Sequence, residues 1–330
     1  MNKYLYQLKF FIFSYFLPNL LILLITALLP NITSAQEYPN KPIRIVVGPG
    51  TDLLARILAD KLTENWGQPV IVDSKPAAGG LIAGDFVAKA GSDGYTLLLS
   101  SSAYTINSVL QVKPSFDFAK DLRPVNLLAT IPIILVVNNQ LPVENLKELI
   151  DLAKSKPGKL NYASSGNGTP AHLAGEMLKQ AGNIDLLHVP YKGITPAITD
   201  LMGGQVQIMF AVAPAVIGLI KSGKLKAISI SSAQRYKLLP EIPTIAEQGF
   251  PEFIYVGWNG IHVPTKTPSE IIQKLSSEIN KIMSQATILP RIDSAGFETF
   301  TGNIKDFENF QQQDINRIKK IVKEANIKPD

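Results

Sequence analysis

A run of small polar residues, Ser164-Ser165-Gly166-Asn167-Gly168-Thr169, comes directly before Pro170. A threonine followed by proline is typical of a helix start, with the threonine as cap and the proline at the first helical position. Unpaired backbone N–H groups at a helix start bind anions, and a glycine such as Gly168 allows close approach of the backbone to a ligand. The segment therefore predicts an anion-binding loop, with side-chain donors from Ser164, Ser165, Asn167 and Thr169. The structural alternative is a solvated turn rich in Ser, Gly and Asn.

A second helix start follows the β-branched run Ile43–Val47. Gly48-Pro49-Gly50 interrupts that run, and Thr51 is placed to cap the next helix. Gly50 and Thr51 are therefore also candidate ligand-binding residues. Asp52 is a third candidate, because it could order water, orient loop amides or meet an amino group on the ligand. Its structural role would be that of an acid favoured by the helix dipole.

Five more polar residues are candidates for the same site. Ser101, Ser102 and Tyr104 follow a predicted strand, at the carboxyl end where open α/β sheets bind ligands, although a plain polar loop explains them as well. His172 is either a hydrogen-bonding wall of the site or a structural histidine. Thr195, which precedes a proline, is either a third donor or an ordinary helix cap.

Several chemistries find no support in the sequence. The chain has no cysteine, which excludes disulfides, thiolate metal sites and an N-terminal lipid-modified cysteine. Its 3 histidines are too scattered for a zinc site of ordinary spacing. Neither the Gly-x-Ser-x-Gly elbow of α/β-hydrolases nor the glycine-rich nucleotide motifs occur. We therefore expect no catalytic residue, no metal and no cofactor.

The first 35 residues have the layout of a secretory signal peptide. Lys3 and Lys9 precede an apolar stretch from Phe10 to Leu29, and Thr33 and Ala35 are the small residues of a cleavage site. An uncleaved membrane anchor is the alternative, because the apolar stretch is long. Without the two lysines, the formal net charge falls from +5 to +3, which suits anionic solutes and is no nucleic-acid footprint.

The rest of the chain alternates short apolar runs with helical patterns, which predicts an α/β protein with mainly parallel sheets. The predicted strands are Ile43–Val47, Val70–Val72, Tyr95–Leu99, Ile131–Val137, Lys159–Ala163, Leu186–Val189, Val206–Phe210, Leu225–Ile230 and Phe253–Val263. Predicted helices include Gly79–Ala90, Asn145–Lys154 and two at the C-terminal end. Trp66 and Trp258 are expected to pack in the core or at a hinge.

The order of these elements suggests two lobes, each a mainly parallel sheet flanked by helices. We expect lobe 1 to comprise residues 36–138 and 255–330, and lobe 2 residues 139–254. The strands Ile131–Val137 and Phe253–Val263 would then cross between the lobes and act as a hinge, with the ligand in the cleft between them.

Eight segments resemble the Bug-type solute receptors of tripartite tricarboxylate transporters, which have a two-lobed type II periplasmic-binding-protein fold. They occur in the family's order along the mature chain: 38–44, 51–56, 66–70, 88–95, 156–162, 164–169, 188–193 and 203–206. The resemblance implies a non-enzymatic periplasmic receptor that binds a small organic anion and delivers it to membrane subunits of a transporter. Dicarboxylates, tricarboxylates, acidic amino acids and aromatic acids are all compatible ligands.

The sequence departs from the family pattern at two places. The segment Gly48-Pro49-Gly50 is shorter than the loop that usually follows the first strand, which carries an aromatic residue beside the ligand. Ala211-Val212-Ala213 stands where relatives often have a polar Asp or Asn. Because both changes remove expected contacts, a receptor that has become a sensor or scaffold for a membrane signalling partner is an alternative. A secreted hydrolase using Ser165 and His172 is a third hypothesis, and we expect a monomer that binds no nucleic acid.

Overall fold

The computed structural model describes residues 38–48, 52–75, 80–110, 115–325 and 327. The predicted signal peptide lies outside these residues. The chain separates into residues 1–40 and a second unit, residues 41–330, which contains all the elements described below. Among the described residues, no helix combines the length and the apolar character that crossing a membrane requires.

The strands are short, apart from two long ones. They are β1 Ile43–Val47, β2 Val70–Ser74, β3 Thr96–Ser101, β4 Leu122–Val137, β5 Leu160–Ser164, β6 Leu186–Pro190, β7 Ile208–Val212, β8 Lys226–Ile230, β9 Val256–Pro264 and β10 Glu298–Thr299. Each predicted strand is present, with ends that differ by a few residues. The main difference is β4, which begins nine residues before the predicted Ile131.

The sheet is mixed, in the order β2-β1-β3-β9-β4-β7-β5-β6, with β8 and β10 also paired to β4. Pairs within β2-β1-β3 and within β7-β5-β6 are parallel, whereas β4 and β9 pair antiparallel with their neighbours. The long strand β4 serves both parallel groups: Leu122–Pro132 pair with β9, and Ile133–Val137 pair with β7 and β8.

The helices flank this sheet. They are α1 Leu53–Trp66, α2 Leu81–Ala88, α3 Ser102–Leu110, α4 Phe118–Asp121, α5 Leu146–Ser155, α6 Pro170–Gly182, α7 Ile194–Met202, α8 Ala213–Lys221, α9 Ser269–Met283, α10 Leu289–Ser294 and α11 Ile304–Glu324. Helix α3 was not predicted, because its first residues follow β3 directly and have the composition of a loop.

The three predicted helix caps have different outcomes. Thr169 caps α6 as predicted, since its Oγ1 accepts the N–H of His172. Thr195 was expected to begin its helix, but α7 begins at Ile194 after Gly193, whose φ of +110° suits glycine. Helix α1 begins after Asp52, which makes no capping hydrogen bond. Thr51, the predicted cap of this helix, lies outside the described residues.

Candidate functional site

The Ser164–Thr169 loop joins the end of β5 to the start of α6 and is held by its own side chains. Ser164 Oγ is fully buried, 2.7 Å from His188 Nε2, and accepts the N–H of Gly166 at 3.2 Å. Thr169 Oγ1 donates to the carbonyl of Gly166 at 2.7 Å. These bonds fix the loop in one conformation and leave Ser165 and Asn167 on its outer side, half-buried and exposed.

Two histidine rings lie beneath the loop. His172 Nδ1 accepts the backbone N–H of Gly168 at 3.2 Å. The ring of His172 is parallel to that of His188, with centroids 4.3 Å apart, and Tyr162 stacks on the other face of His188. His172 therefore supports the loop directly, which is a structural role, and its contact with a ligand stays a prediction.

Helix α3 lies across from this loop. Gly168 has a φ of +67°, and a Cβ atom at that position would be 2.7 Å from Asn107 Oδ1. The side chain of Asn107 on α3 thus faces the backbone of the loop at close range. Sequence reasoning missed Asn107, since nothing local distinguishes an asparagine in the middle of a helix from a solvated one.

The candidates on β3 and α3 have different environments. Ser101 is half-buried at the end of β3, and Ser102 is buried at the start of α3. The Tyr104 hydroxyl donates to the carbonyl of Gly80 at 2.8 Å, and burial raises the pKa of this tyrosine. Tyr104 also lies next to Gly48, at the end of β1. These contacts bring Tyr104 to the segment that follows β1, where it supports the backbone.

The remaining candidates are only partly described. Gly50 and Thr51 lie outside the described residues. The carboxylate of Asp52 accepts two hydrogen bonds from Arg56, at 2.9 and 2.6 Å, and this pairing lowers the pKa of Asp52. Thr195 is exposed on α7. Asp52 is therefore already paired within its own helix.

A buried carboxylate holds α3 in place. Asp314 Oδ2 on α11 accepts hydrogen bonds from Thr105 Oγ1 on α3, at 2.7 Å, and from Trp258 Nε1 on β9, at 2.8 Å. Burial raises the pKa of Asp314. Helix α3 is thus fixed to two elements from the C-terminal part of the chain, and Trp258 packs in the core as predicted.

No serine protease geometry is formed by the predicted pair. The structure shows serine–histidine hydrogen bonds between Ser164 and His188 and between the fully buried Ser100 and His262. The described residues also contain no group of three His, Cys, Asp or Glu side chains that could hold a metal ion. The polar groups at the loop and at α3 are suited to holding a ligand by hydrogen bonds.

Comparison with known proteins defines the family. The family model of the tripartite tricarboxylate transporter family receptor matches residues 54–327. Protein BugT of Bordetella pertussis is 35% identical over 313 residues, which are 93% of this chain and 96% of BugT. The chain therefore belongs to the tripartite tricarboxylate transporter receptor family, as its motifs indicated. It is a periplasmic solute-binding receptor, and the family is not enzymatic.

Solved structures agree with this fold. Rpa4515 of R. palustris with adipate has a TM-score of 0.84 at 30% identity, and the match covers 89% of this chain and 100% of the Rpa4515 chain. The periplasmic binding protein BugD has a TM-score of 0.80 at 30% identity, and the match covers 88% of this chain and 99% of the BugD chain. MatC of Rhodopseudomonas palustris with bound malate has a TM-score of 0.79 at 27% identity, and the match covers 86% of this chain and 100% of the MatC chain. The periplasmic-binding-protein fold expected from the resemblance is confirmed.

Proposed function

We propose that this receptor captures a small organic carboxylate between the Ser164–Thr169 loop and α3. The observation that carries the proposal is the approach of Gly168 to Asn107, which places a helix start opposite a side-chain amide. Backbone N–H groups at the start of α6, with Ser165, Asn167 and Asn107, would hold one carboxylate. Gly50, Thr51 and Ser101 would border the site from the ends of β1 and β3, and Ser102 and Tyr104 would support them.

The ligand class follows from the chemistry and from the neighbours. Adipate and malate, which the structures of Rpa4515 and MatC hold, are both dicarboxylates. Charge-assisted hydrogen bonds contribute about 1.5–3 kcal/mol each. Three or four of them, less the entropy of association, amount to roughly the −8 kcal/mol of a micromolar site. Such affinity requires neither an arginine clamp nor a metal.

The same proposal covers the larger assembly. Residues 36–138 with 255–330, and residues 139–254, would form two lobes that close on the ligand about β4 and β9. The strand β4 supports this division, because it pairs with both groups of parallel strands. Residues 1–35 would direct export, and the loaded receptor would act as a monomer that delivers its ligand to transporter membrane subunits.

The proposal is tested by thermal unfolding of the chain from Gln36 onward, with adipate, malate and other small carboxylates. A ligand at 100 times its dissociation constant adds about 2.7 kcal/mol to the free energy of unfolding. Gly168→Ala is expected to reduce the affinity roughly tenfold or more, because its Cβ would meet Asn107 Oδ1 at 2.7 Å.

Gly223→Ala is the matched control. Gly223 has a φ of +70°, close to the +67° of Gly168, but a Cβ there has no heavy atom within 4 Å. Both variants therefore carry the same backbone strain, and only Gly168→Ala should lose affinity. Equal affinities for both variants would refute the loop site. No stabilisation by any carboxylate of folded, ligand-free protein would refute carboxylate capture and favour the scaffold reading that the short loop after Val47 suggests.

A further inference from the structure

The stacked rings of His172 and His188 contact the loop through their nitrogen atoms. His188 Nε2 is 2.7 Å from Ser164 Oγ, and His172 Nδ1 accepts the N–H of Gly168 at 3.2 Å. An imidazolium has no acceptor atom, so Nδ1 of His172 carries no proton in this arrangement. Neutral His172 therefore accepts the hydrogen bond of a backbone N–H group that a bound carboxylate would use.

We propose that His172 is the proton-linked positioning residue of the anion site, which rests on the function proposed above. When a carboxylate accepts the hydrogen bond of the Gly168 N–H, His172 Nδ1 no longer receives that hydrogen bond. The imidazole then lies next to a negative charge. A nearby anion favours the charged form of an imidazole. His172 then takes up one proton from solvent, and its new N–H group donates to the loop or to the carboxylate.

The groups around the stack favour uptake of a single proton. His188 on β6 lies 4.3 Å from His172, so a second positive charge in the stack would be repelled. On the other side, Tyr162 on β5 donates its hydroxyl to Glu176 at 2.7 Å. Glu176, one turn after His172 on α6, also pairs with Lys179 at 2.9 Å, which offsets its charge.

Other residues near the loop come from α3, α11 and the segment that follows β6. Helix α3 presents the uncharged Asn107 to the loop, and α11 contributes Ile318 and Ile321 to the core that it shares with α6. In the strand-to-helix segment beside the loop, Tyr191 donates to Asp200 at 2.7 Å, and Lys192 is exposed.

The third histidine cannot supply the proton uptake. His262 is fully buried, and burial lowers its pKa to about 3. It therefore stays neutral near pH 7. A proton taken up at this pH when a carboxylate binds therefore does not belong to His262, and substitution of His172 tests whether it belongs to that residue.

The experiment is isothermal titration calorimetry of the chain from Gln36 with adipate, in buffers of different ionisation enthalpy at about pH 7, where carboxylates remain ionised. Wild type is expected to take up a fraction of one proton per adipate. Its affinity should rise as the pH falls from about 8 to 6.5, because binding raises the pKa of His172. The rise is at most tenfold per pH unit for one proton.

His172→Gln keeps an acceptor for the N–H of Gly168 but cannot titrate, so it should bind adipate without proton uptake and with affinity independent of pH. In the ligand-free wild type, the amide NMR signal of Gly168 is expected to move with pH. In His172→Gln, this movement should be absent. Uptake that persists in His172→Gln would assign the proton to another group and overturn the inference. Adipate binding without proton uptake in wild type would also overturn it, while leaving the proposed function intact. Absence of adipate binding at every pH, with a Gly168 amide that does not titrate, would overturn both.

Discussion

His262 shows how a buried side chain makes the stability of this receptor depend on pH. Its ring is fully buried on β9, with Nδ1 2.7 Å from Ser100 Oγ and Nε2 3.3 Å from Gln311 Oε1. Burial lowers its pKa from 6.5 to about 3. Below pH 6.5 the unfolded chain binds a proton at this residue that the folded chain does not bind. Stability is therefore fully present above that pH and is lost as the pH falls.

We expect His262 to destabilise the folded state by about 2 kcal/mol at pH 5 relative to pH 7. His262→Gln should remove this part of the pH dependence, because glutamine keeps hydrogen-bonding capacity without titrating. Chemical denaturation of wild type and variant between pH 7 and pH 5 measures the difference. The titrations of all other groups are common to both proteins and cancel. Identical pH slopes would show that His262 does not stay neutral when buried.

At the residue scale, the sequence predicted what depends on neighbours in the chain. The capping role of Thr169 follows from the proline after it, and the structure confirms it. The starts of α1 and α7 differ from prediction by one or two residues, because local signals do not determine which polar residue ends outside the helix. Asn107 and the Ser164–His188 bond could not be predicted, since each joins residues from separate elements.

At the element scale, Asp314 connects three elements that are far apart in the sequence. Its carboxylate joins α11 to Thr105 on α3 and to Trp258 on β9, and it is 1% exposed. A buried carboxylate loses its hydration, and the two donors offset part of that loss. The position of α3 therefore depends on a residue that lies more than two hundred positions later in the chain.

Thr105→Val removes one of these donors and preserves the shape of the side chain. We expect it to reduce the free energy of unfolding by about 1–3 kcal/mol, because Asp314 loses a hydrogen bond in a buried place. Thr199→Val is the matched control, since the Thr199 hydroxyl donates to the carbonyl of Thr195 on the exposed side of α7. Urea denaturation compares the two variants. A loss for Thr105→Val no larger than for Thr199→Val would contradict this role of Asp314.

The elements themselves were largely predictable, because buried β-branched runs and helical apolar spacing are local patterns. The main error concerns the start of β4. The predicted strand begins at Ile131, after a proline-containing stretch, whereas β4 begins at Leu122 and runs through Pro124, with a register shift between Pro124 and Asn126. Pairing on both sides stabilises this strand despite its prolines, and pairing partners cannot be read from one strand.

At the scale of the whole molecule, the C-terminal segment packs back onto residues from the middle of the chain. Gly296, which follows α10 and has a φ of +90°, lies against Pro214 at the start of α8. A salt bridge of 2.8 Å between Lys237 and Asp293 also joins the C-terminal segment to the middle of the chain. Exposed pairs of this kind contribute little, so the close backbone packing at Gly296 is the stronger constraint.

Gly296→Ala is expected to destabilise the chain by roughly 2 kcal/mol more than its control. The added Cβ would lie 2.9 Å from the backbone nitrogen of Pro214, which cannot move aside as a side chain would. Gly249→Ala is the control, because Gly249 has a φ of +104° and open space at the Cβ position. Thermal unfolding of both variants measures this difference. Equal melting temperatures would mean that the segment after α10 does not pack on α8.

The fold class was predictable at this scale because the order of strands and helices along the chain is enough to indicate two α/β groups. The contacts that join these groups were not predictable. Gly296 against Pro214, and Asn107 against Gly168, pair residues with no shared local pattern. Of the C-terminal helices, α9 packs on β4 and α1.

The central claim is that a carboxylate binds at the start of α6, and a crystal structure of the chain from Gln36 grown with adipate tests it most directly. The account predicts one adipate carboxylate about 3 Å from the backbone N–H groups of Gly168 and Thr169, with Asn107 on its other side. The N–H of Gly168 should then point to adipate in place of His172. Adipate bound elsewhere, or a Ser164–Thr169 loop with its contacts unchanged and no ligand against it, would contradict the account.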